Sequence, residues 1–296
     1  GILKTEAGET AVAQVIKKDD VILHRVESPH PFKRGTKVNG EIDWNRRVAL
    51  MRGHTATHIL LAAAREKLGK HIWQAGAQKG TEVNRLDITH YKHLSTEEVR
   101  QIEERANEIV MANTPVRTHF MKRAKAEKKF GFTLYQGGAI PGGEIRVCEI
   151  KNTDAQACGG THCTTTGEVG FIRILRVERI QDGVERLEYA AGLAAVRSVH
   201  EIEDNLAMIA KTLSTSVADA GRAAQKWVES WEASQKTLKT YRQLALDGYV
   251  QKATEELKPL GDYSVSILHI GGAPTDDMIE VATRVAAANP KAMCMV

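Results

Sequence analysis

Apolar and polar positions alternate through the first 48 residues. The run from Thr10 to Val26 predicts two strands joined at Lys18–Asp20. Pro29 and Pro31 break the alternation, and Lys37 to Trp44 predicts a further strand. The period then changes. Leu60, Leu61, Ala62, Ala63, Ala64 and Leu68 predict a helix carrying the preceding Arg52-Gly53-His54-Thr55-Ala56-Thr57-His58, with Gly69 as its left-handed cap. Gly76 and Gly80, with alternation at Val83, Leu86 and Ile88, predict short strands. Ser95-Thr96-Glu97-Glu98 reads as a capping box. Val99, Ile102, Ala106, Ile109 and Val110 keep helical spacing after it, until Asn113-Thr114-Pro115 stops the helix.

A third helix is expected through Met121–Lys129, then a turn-rich loop at Gly137–Gly143 and a strand at Glu144–Ile150. That loop reads either as a surface hairpin or as glycine backbone lying close to a ligand. Ile172, Ile174, Val177 and Ile180 alternate in part, and Val184, Leu187 and Tyr189 continue into another strand. From Leu193 to about Leu257 the pattern becomes helical, with Leu193, Val196, Val199, Leu206, Ile209, Leu213 and Val217 at three-, four- and seven-residue intervals. Trp227 and Trp231 are read as packing residues. Pro259 and Gly261 punctuate, and Tyr263–Ile270, Thr275–Ala288 and Ala292–Val296 predict strand, helix and strand, joined at Gly271-Gly272-Ala273-Pro274.

The fold class expected is α+β, in four parts. They are a β segment at 1–48, an α+β domain at 49–192, a long helical, coiled-coil-like segment at 193–258, and a β-α-β unit at 259–296. The helical periodicity fits an intrachain hairpin and a chain–chain coil, the latter implying a homodimer through the helical or carboxy-terminal region.

Composition narrows the function classes. The chain has 296 residues and a net charge of +4, mildly basic and compatible with a nucleic-acid partner. No apolar run approaches membrane-spanning length, and no signal peptide opens the chain. Cys148, Cys158, Cys163 and Cys294 lack a disulfide-rich layout, so a reducing cytoplasm is the expected location. No GxxxxGK[ST] phosphate loop and no other ATP-binding motif is present. The cationic run Lys122, Arg123, Lys125, Lys128 and Lys129 reads as a solvated face or as a contact for nucleic-acid phosphates.

The chemistry concentrates in two short stretches. His54 and His58 are four apart, so on a helix their rings share one face and can reach one zinc ion at about 2.0–2.1 Å each. A hundred residues later comes Cys158-Gly159-Gly160-Thr161-His162-Cys163, where Cys158 and His162 are again four apart on a turn that the glycines permit. Together they make a candidate Cys/His3 set, suited to zinc. The alternative is two ordinary helix histidines and a cysteine packed as a small hydrophobe.

This pairing of His54-x-x-x-His58 with a distant Cys158-Gly-Gly-Thr-His162 resembles the editing domains of alanyl-tRNA synthetases and their free-standing and threonyl counterparts. The likeness is dense from about Val38 to Gly192. It includes Asp43-Trp44-x-Arg46-Arg47, His71-Ile72-Trp73-Gln74-x-Gly76, Arg85-Leu86-Asp87-Ile88-Thr89-His90 and Gly167-Glu168-Val169-Gly170-Phe171-Ile172-Arg173. It implies zinc held by His54, His58, Cys158 and His162, with His162 rather than Cys163 as the fourth ligand. It also implies hydrolysis of Ser-tRNA(Ala) and Gly-tRNA(Ala), sparing Ala-tRNA(Ala). Thr57 and Gln74 match positions linked to substrate discrimination and serve as the candidate catalytic-site residues, one offering a hydroxyl and the other an amide. Asp87 is the expected hydrogen-bond partner of a ligand histidine.

The resemblance also implies that 1–48 is a small β-barrel segment, 49–192 an α+β zinc-containing editing domain and 259–296 a partial β-α-β carboxy-terminal domain. The start without methionine and the β-α-β cut at its end suggest a fragment of such a synthetase, without the activating domain and so without ligase activity. A free-standing trans-editing hydrolase and a tRNA(Ala)-binding module with a structural zinc are the other two readings. Four protein ligands close a tetrahedral site, whereas a catalytic zinc keeps one position open, and the sequence leaves both roles available.

Overall fold

The computed structural model describes residues 1–6, 8–19, 21–27, 33–136, 138 and 142–296. Pro29, Pro31 and most of the Gly137–Gly143 loop lie outside the described residues. Chain contacts divide the protein into two units, 1–203 and 204–296.

The first unit opens with strands β1 (Ile2–Thr5), β2 (Gly8–Lys18), β3 (Val21–Val26) and β4 (Asn39–Glu41). They form an antiparallel sheet in the order β3-β2-β1-β4. The expected barrel is not found: β3 and β4 are the two edges and do not pair, so the sheet stays open among the described residues. The strand expected over Lys37–Trp44 is also shorter, because the Asp43 side chain accepts a hydrogen bond from the Arg46 backbone at 2.9 Å and caps a helix there.

That helix, α1 (Trp44–Leu68), starts ten residues before His54 and ends at Gly69, whose φ is 118°. From Thr55 to Ala64 every residue is buried, on all sides of the helix. Three layers cover it. One is the antiparallel sheet of β5 (Gln74–Gln78) and β6 (Asn84–Thr89) with β10 (Ile172–Gln181) and β11 (Val184–Ala191), in the order β10-β11-β6-β5. The second is α2 (Thr96–Met111), which carries the expected capping box of Ser95 and Glu98. Ile59, Leu60 and Leu61 of α1 share one core with Leu86, Ile88, Ile102, Ile109, Ile172, Leu187 and Tyr189. At about 1.5–3 kcal/mol per large buried side chain, this core holds the unit together. The partial alternation along β10 has a cause in two register shifts, at Ile174/Arg176 and Arg179/Gln181.

The third layer is a small antiparallel sheet of β7 (Val116–Lys122), β8 (Glu144–Ile150) and β9 (Asp154–Ala157). β7 occupies the start of the helix expected from Met121, so α3 (Arg123–Phe130) begins two residues later. β9 delivers the chain directly into Cys158.

The helical stretch is two helices, α4 (Leu193–Thr212) and α5 (Ala220–Glu255), interrupted around Ser214 with φ 52°. In the second unit, β12 (Lys258–Leu260), β13 (Tyr263–Ile267) and β14 (Ala292–Met295) form a sheet. The parallel pair β13–β14 is connected through α6 (Thr275–Ala288), the expected β-α-β unit. Trp227 and Trp231 are 59% and 52% exposed, so they do not pack within this unit as expected.

Candidate metal centre

Buried helix polar groups need partners, and those of α1 find them in ways that define a site. The Thr57 hydroxyl donates to Gly53 O at 3.0 Å and meets the Tyr189 hydroxyl at 2.7 Å. Thr55 Oγ1 accepts from the Cys163 backbone N–H at 3.1 Å and lies 3.3 Å from Nδ1 of His162. His58 Nδ1 lies 3.1 Å from the Asp154 carboxylate.

Those contacts turn the remaining ring nitrogens toward one point. His54 Nε2 is 3.3 Å and His162 Nε2 is 3.4 Å from Cys158 Sγ. The ring centroids of His54, His58 and His162 are 4.1–5.5 Å apart. One ligand atom from each of His54, His58, Cys158 and His162 falls within 4.8 Å of every other. The two stretches separated by a hundred residues therefore meet, and together they could hold a metal ion.

The turn that brings Cys158 and His162 together is fixed from two sides. Arg146 on β8 donates from Nη1 to Cys158 O at 2.7 Å and to Gly160 O at 2.8 Å. The His54 ring lies against Gly160, where a Cβ would fall 2.2 Å from ring carbon Cε1. Only glycine permits that approach.

The electrostatics suit a thiolate ligand. Burial alone raises the Cys158 pKa, but hydrogen bonds from His162, His54 and His58 outweigh it and bring the thiol down to about 3. His58 moves the other way. Burial lowers its pKa, yet the hydrogen bonds to Asp154 and Cys158 lift it to about 9. Burial pushes His162 down to about 4, with the positive charges of His58 and His54 adding to the effect. A thiolate among imidazoles, two of them oriented through Nδ1, is a donor set that fits a borderline-soft cation such as zinc.

The other candidates are distributed differently. Gln74 opens β5, half-buried, and its backbone N–H donates to the Gln136 side chain at 3.1 Å. A register shift after Gln74 pairs it with Ile88, so it lies on the α1-facing side of the sheet. Cys163 is buried in the core rather than among the ligands. Asp87 does not serve a ligand histidine: Arg186 donates to its two oxygens at 2.8 and 3.0 Å. Asp154 has that role, supported by Gln156 Nε2 at 2.7 Å. Asp154, Thr55 and Arg146 were invisible to pattern reading. Asp154 and Arg146 carry no spacing signal, and Thr55 is hidden inside the His-x-x-x-His stretch.

Comparison with known proteins places this geometry. A family model described as "Threonyl and Alanyl tRNA synthetase second additional domain" matches residues 145–188, which run from β8 to β11 and include Cys158 and His162. The ligand turn thus lies in a domain of the kind found in those two synthetases. Over nearly the whole chain the likeness is to one of them. The alanine–tRNA ligase of Methanococcus maripaludis strain C6 is 42% identical over 284 residues, 96% of this chain and 32% of that protein. Those of Pyrococcus furiosus and Methanoculleus marisnigri are 43% and 48% identical, covering 96% and 87% of this chain and 31% and 28% of theirs. The chain belongs with the alanyl-tRNA synthetases and spans about a third of the length of the curated relatives it matches. Among the described residues, no helix is long and apolar enough to cross a membrane.

Proposed function

We propose that this chain is a zinc-dependent aminoacyl-tRNA deacylase, which hydrolyses Ser-tRNA(Ala) and Gly-tRNA(Ala) in the cytoplasm and spares Ala-tRNA(Ala). The observation that carries the reading is the convergence of His54, His58, Cys158 and His162 in a chain similar to alanine–tRNA ligases. The need for such a reaction is energetic. A pocket for alanine cannot keep out glycine, and an added hydroxyl or missing methylene is worth only about 1–3 kcal/mol in an apolar pocket. A second, hydrolytic pocket makes up the difference.

In this reading the four residues would hold zinc, which when bound would supply Lewis acidity for ester hydrolysis. Asp154 and Thr55 hold the His58 and His162 rings with Nε2 turned inward. Arg146 keeps the ligand turn folded. Gln74 and Thr57 discriminate serine. Gln74 presents an amide from the helix-facing side of β5, and Thr57 adds a hydroxyl already braced by Tyr189. Water adds to the ester carbonyl carbon, the bond to the terminal ribose oxygen breaks, that oxygen takes a proton, and the amino acid leaves as its acid. The tRNA acceptor end is the partner, and ligase activity is not assigned to this chain.

A second reading is a tRNA(Ala)-binding module with a structural zinc. The four-residue donor set favours it, because four protein ligands complete a tetrahedral site. Deacylation of Ser-tRNA(Ala), with Ala-tRNA(Ala) as the paired control, separates the two. Selective loss of serine, abolished by Cys158→Ala in a folded protein, supports the hydrolase. No hydrolysis by the folded, zinc-loaded chain supports the module.

A further inference from the structure

A lysine follows directly on β5, the strand that opens with Gln74, and neither the four-residue cluster nor the proposed serine-sensing pair accounts for it. β5 is an edge strand of the central sheet, and Ala77 pairs with Leu86, whose side chain is buried in the core shared with α1. Side chains two apart on an extended chain share a face. Lys79, two residues after Ala77 and one past the end of β5, therefore continues on the α1-facing side.

Its backbone is held there. The next residue, Gly80, donates its N–H to Asn84 Oδ1 at 3.2 Å. Asn84 is buried against Gly53, the residue before His54, so closely that a Cβ on Gly53 would fall 2.1 Å from Oδ1. Asn84 also reaches Tyr189 O at 3.5 Å. The turn carrying Lys79 is thus pinned to the part of α1 that carries the first ligand.

The Lys79 side chain is half-buried, and no carboxylate among the described residues acts on its ammonium. Burial lowers its pKa, and among the described residues the Cys158 thiolate is the one charge that acts against this. A partly desolvated lysine without an anion is unfavourable unless something else offers it negative charge. Arg65, by contrast, faces the same cluster from α1 with the Asp154 carboxylate beside it at 3.9 Å.

Resting on the deacylase reading, we propose that Lys79 is a catalytic residue whose ammonium donates to the carbonyl oxygen of the scissile ester. When water adds to the carbonyl carbon, the carbonyl π electrons move onto that oxygen, and Lys79 stabilises the charge. When the carbonyl re-forms, the bonding electrons leave with the ribose oxygen, which takes the proton released by the water. Lys79 keeps its own protons throughout. An interaction that strengthens as charge develops acts on kcat rather than on KM.

The test is single-turnover deacylation of Ser-tRNA(Ala) by the whole chain and by Lys79→Met and Lys79→Arg, with zinc content measured for each. Methionine keeps the apolar stem and removes the charge. The expected result is a kcat lower by about 10²–10³-fold in Lys79→Met with KM and zinc content unchanged, and partial recovery in Lys79→Arg. Wild-type kcat in Lys79→Met overturns the assignment, and so does a rise in KM alone, which would mark an anchor for a phosphate of the tRNA end. Loss of zinc in Lys79→Met overturns it in favour of a structural role. If the wild-type chain itself hydrolyses neither substrate, the deacylase reading fails, and this assignment fails with it.

Discussion

The Asp154 carboxylate holds Nδ1 of His58 at 3.1 Å, across 96 residues of sequence, with both side chains only 3% exposed. A buried carboxylate on the outer nitrogen of an imidazole fixes the tautomer that points Nε2 inward and raises the basicity of the ring. Asp154→Asn should weaken zinc binding about 10–100-fold without changing the four ligands. Competition against a chromophoric chelator measures this, and unchanged affinity would show that the pair has no part in metal binding.

Gly160 offers a sharper steric test. A Cβ on Gly160 would fall 2.2 Å from Cε1 of the His54 ring, so Gly160→Ala must displace either the ring or the turn. The expected cost is about 1–3 kcal/mol in the denaturant-unfolding free energy of the zinc-loaded protein, with reduced zinc occupancy. The matched substitution Gly159→Ala meets nothing within 4 Å and should cost less. Equal effects at both positions would refute the steric account.

Metal removal should act mainly on the 1–203 unit, where all four donors lie. Zinc held at one hundred times its dissociation constant adds about 2.7 kcal/mol to the stability of the state that binds it. Stripping zinc with a chelator should therefore lower the unfolding temperature, and zinc, not magnesium, should restore it. An unfolding temperature indifferent to zinc would contradict a bound metal at this cluster.

The capping box of α2 predicts a pH dependence away from the metal. Lys92, then the Ser95 backbone and hydroxyl, bond the Glu98 carboxylate and hold its pKa at about 2, below the ordinary 4.5. A carboxylate depressed in the folded state adds stability that is fully present above 4.5 and is lost as pH falls through 2. The stability gap between wild type and Glu98→Gln should accordingly shrink between pH 5 and pH 3 in urea unfolding. A gap that stays constant over that range would mean that Glu98 is not ion-paired in solution.

Local chemistry made a large part of this protein legible without coordinates. His54 and His58 share a helical face because four residues make about one turn. Ser95 and Glu98 cap α2 because donor and acceptor lie three residues apart, and the β13-α6-β14 unit follows from two short apolar runs around one amphipathic helix. Two kinds of feature were out of reach. Strand closure depends on which edges meet, so a β-rich start read as a barrel is an open sheet. Hydrogen-bond partners far apart in sequence leave no periodic trace. Asp87 and Asp154 are both acidic residues in strands, yet Arg186 takes the first and His58 the second. Arg146 on Cys158 O and Gln74 on the helix-facing side of β5 are set by the same long-range packing. The sequence by itself determined which atoms could bind a metal, since that is a property of residue type and short spacing. Only the tertiary structure decided which neighbours orient and charge those atoms, because that depends on how separate layers stack around one buried helix.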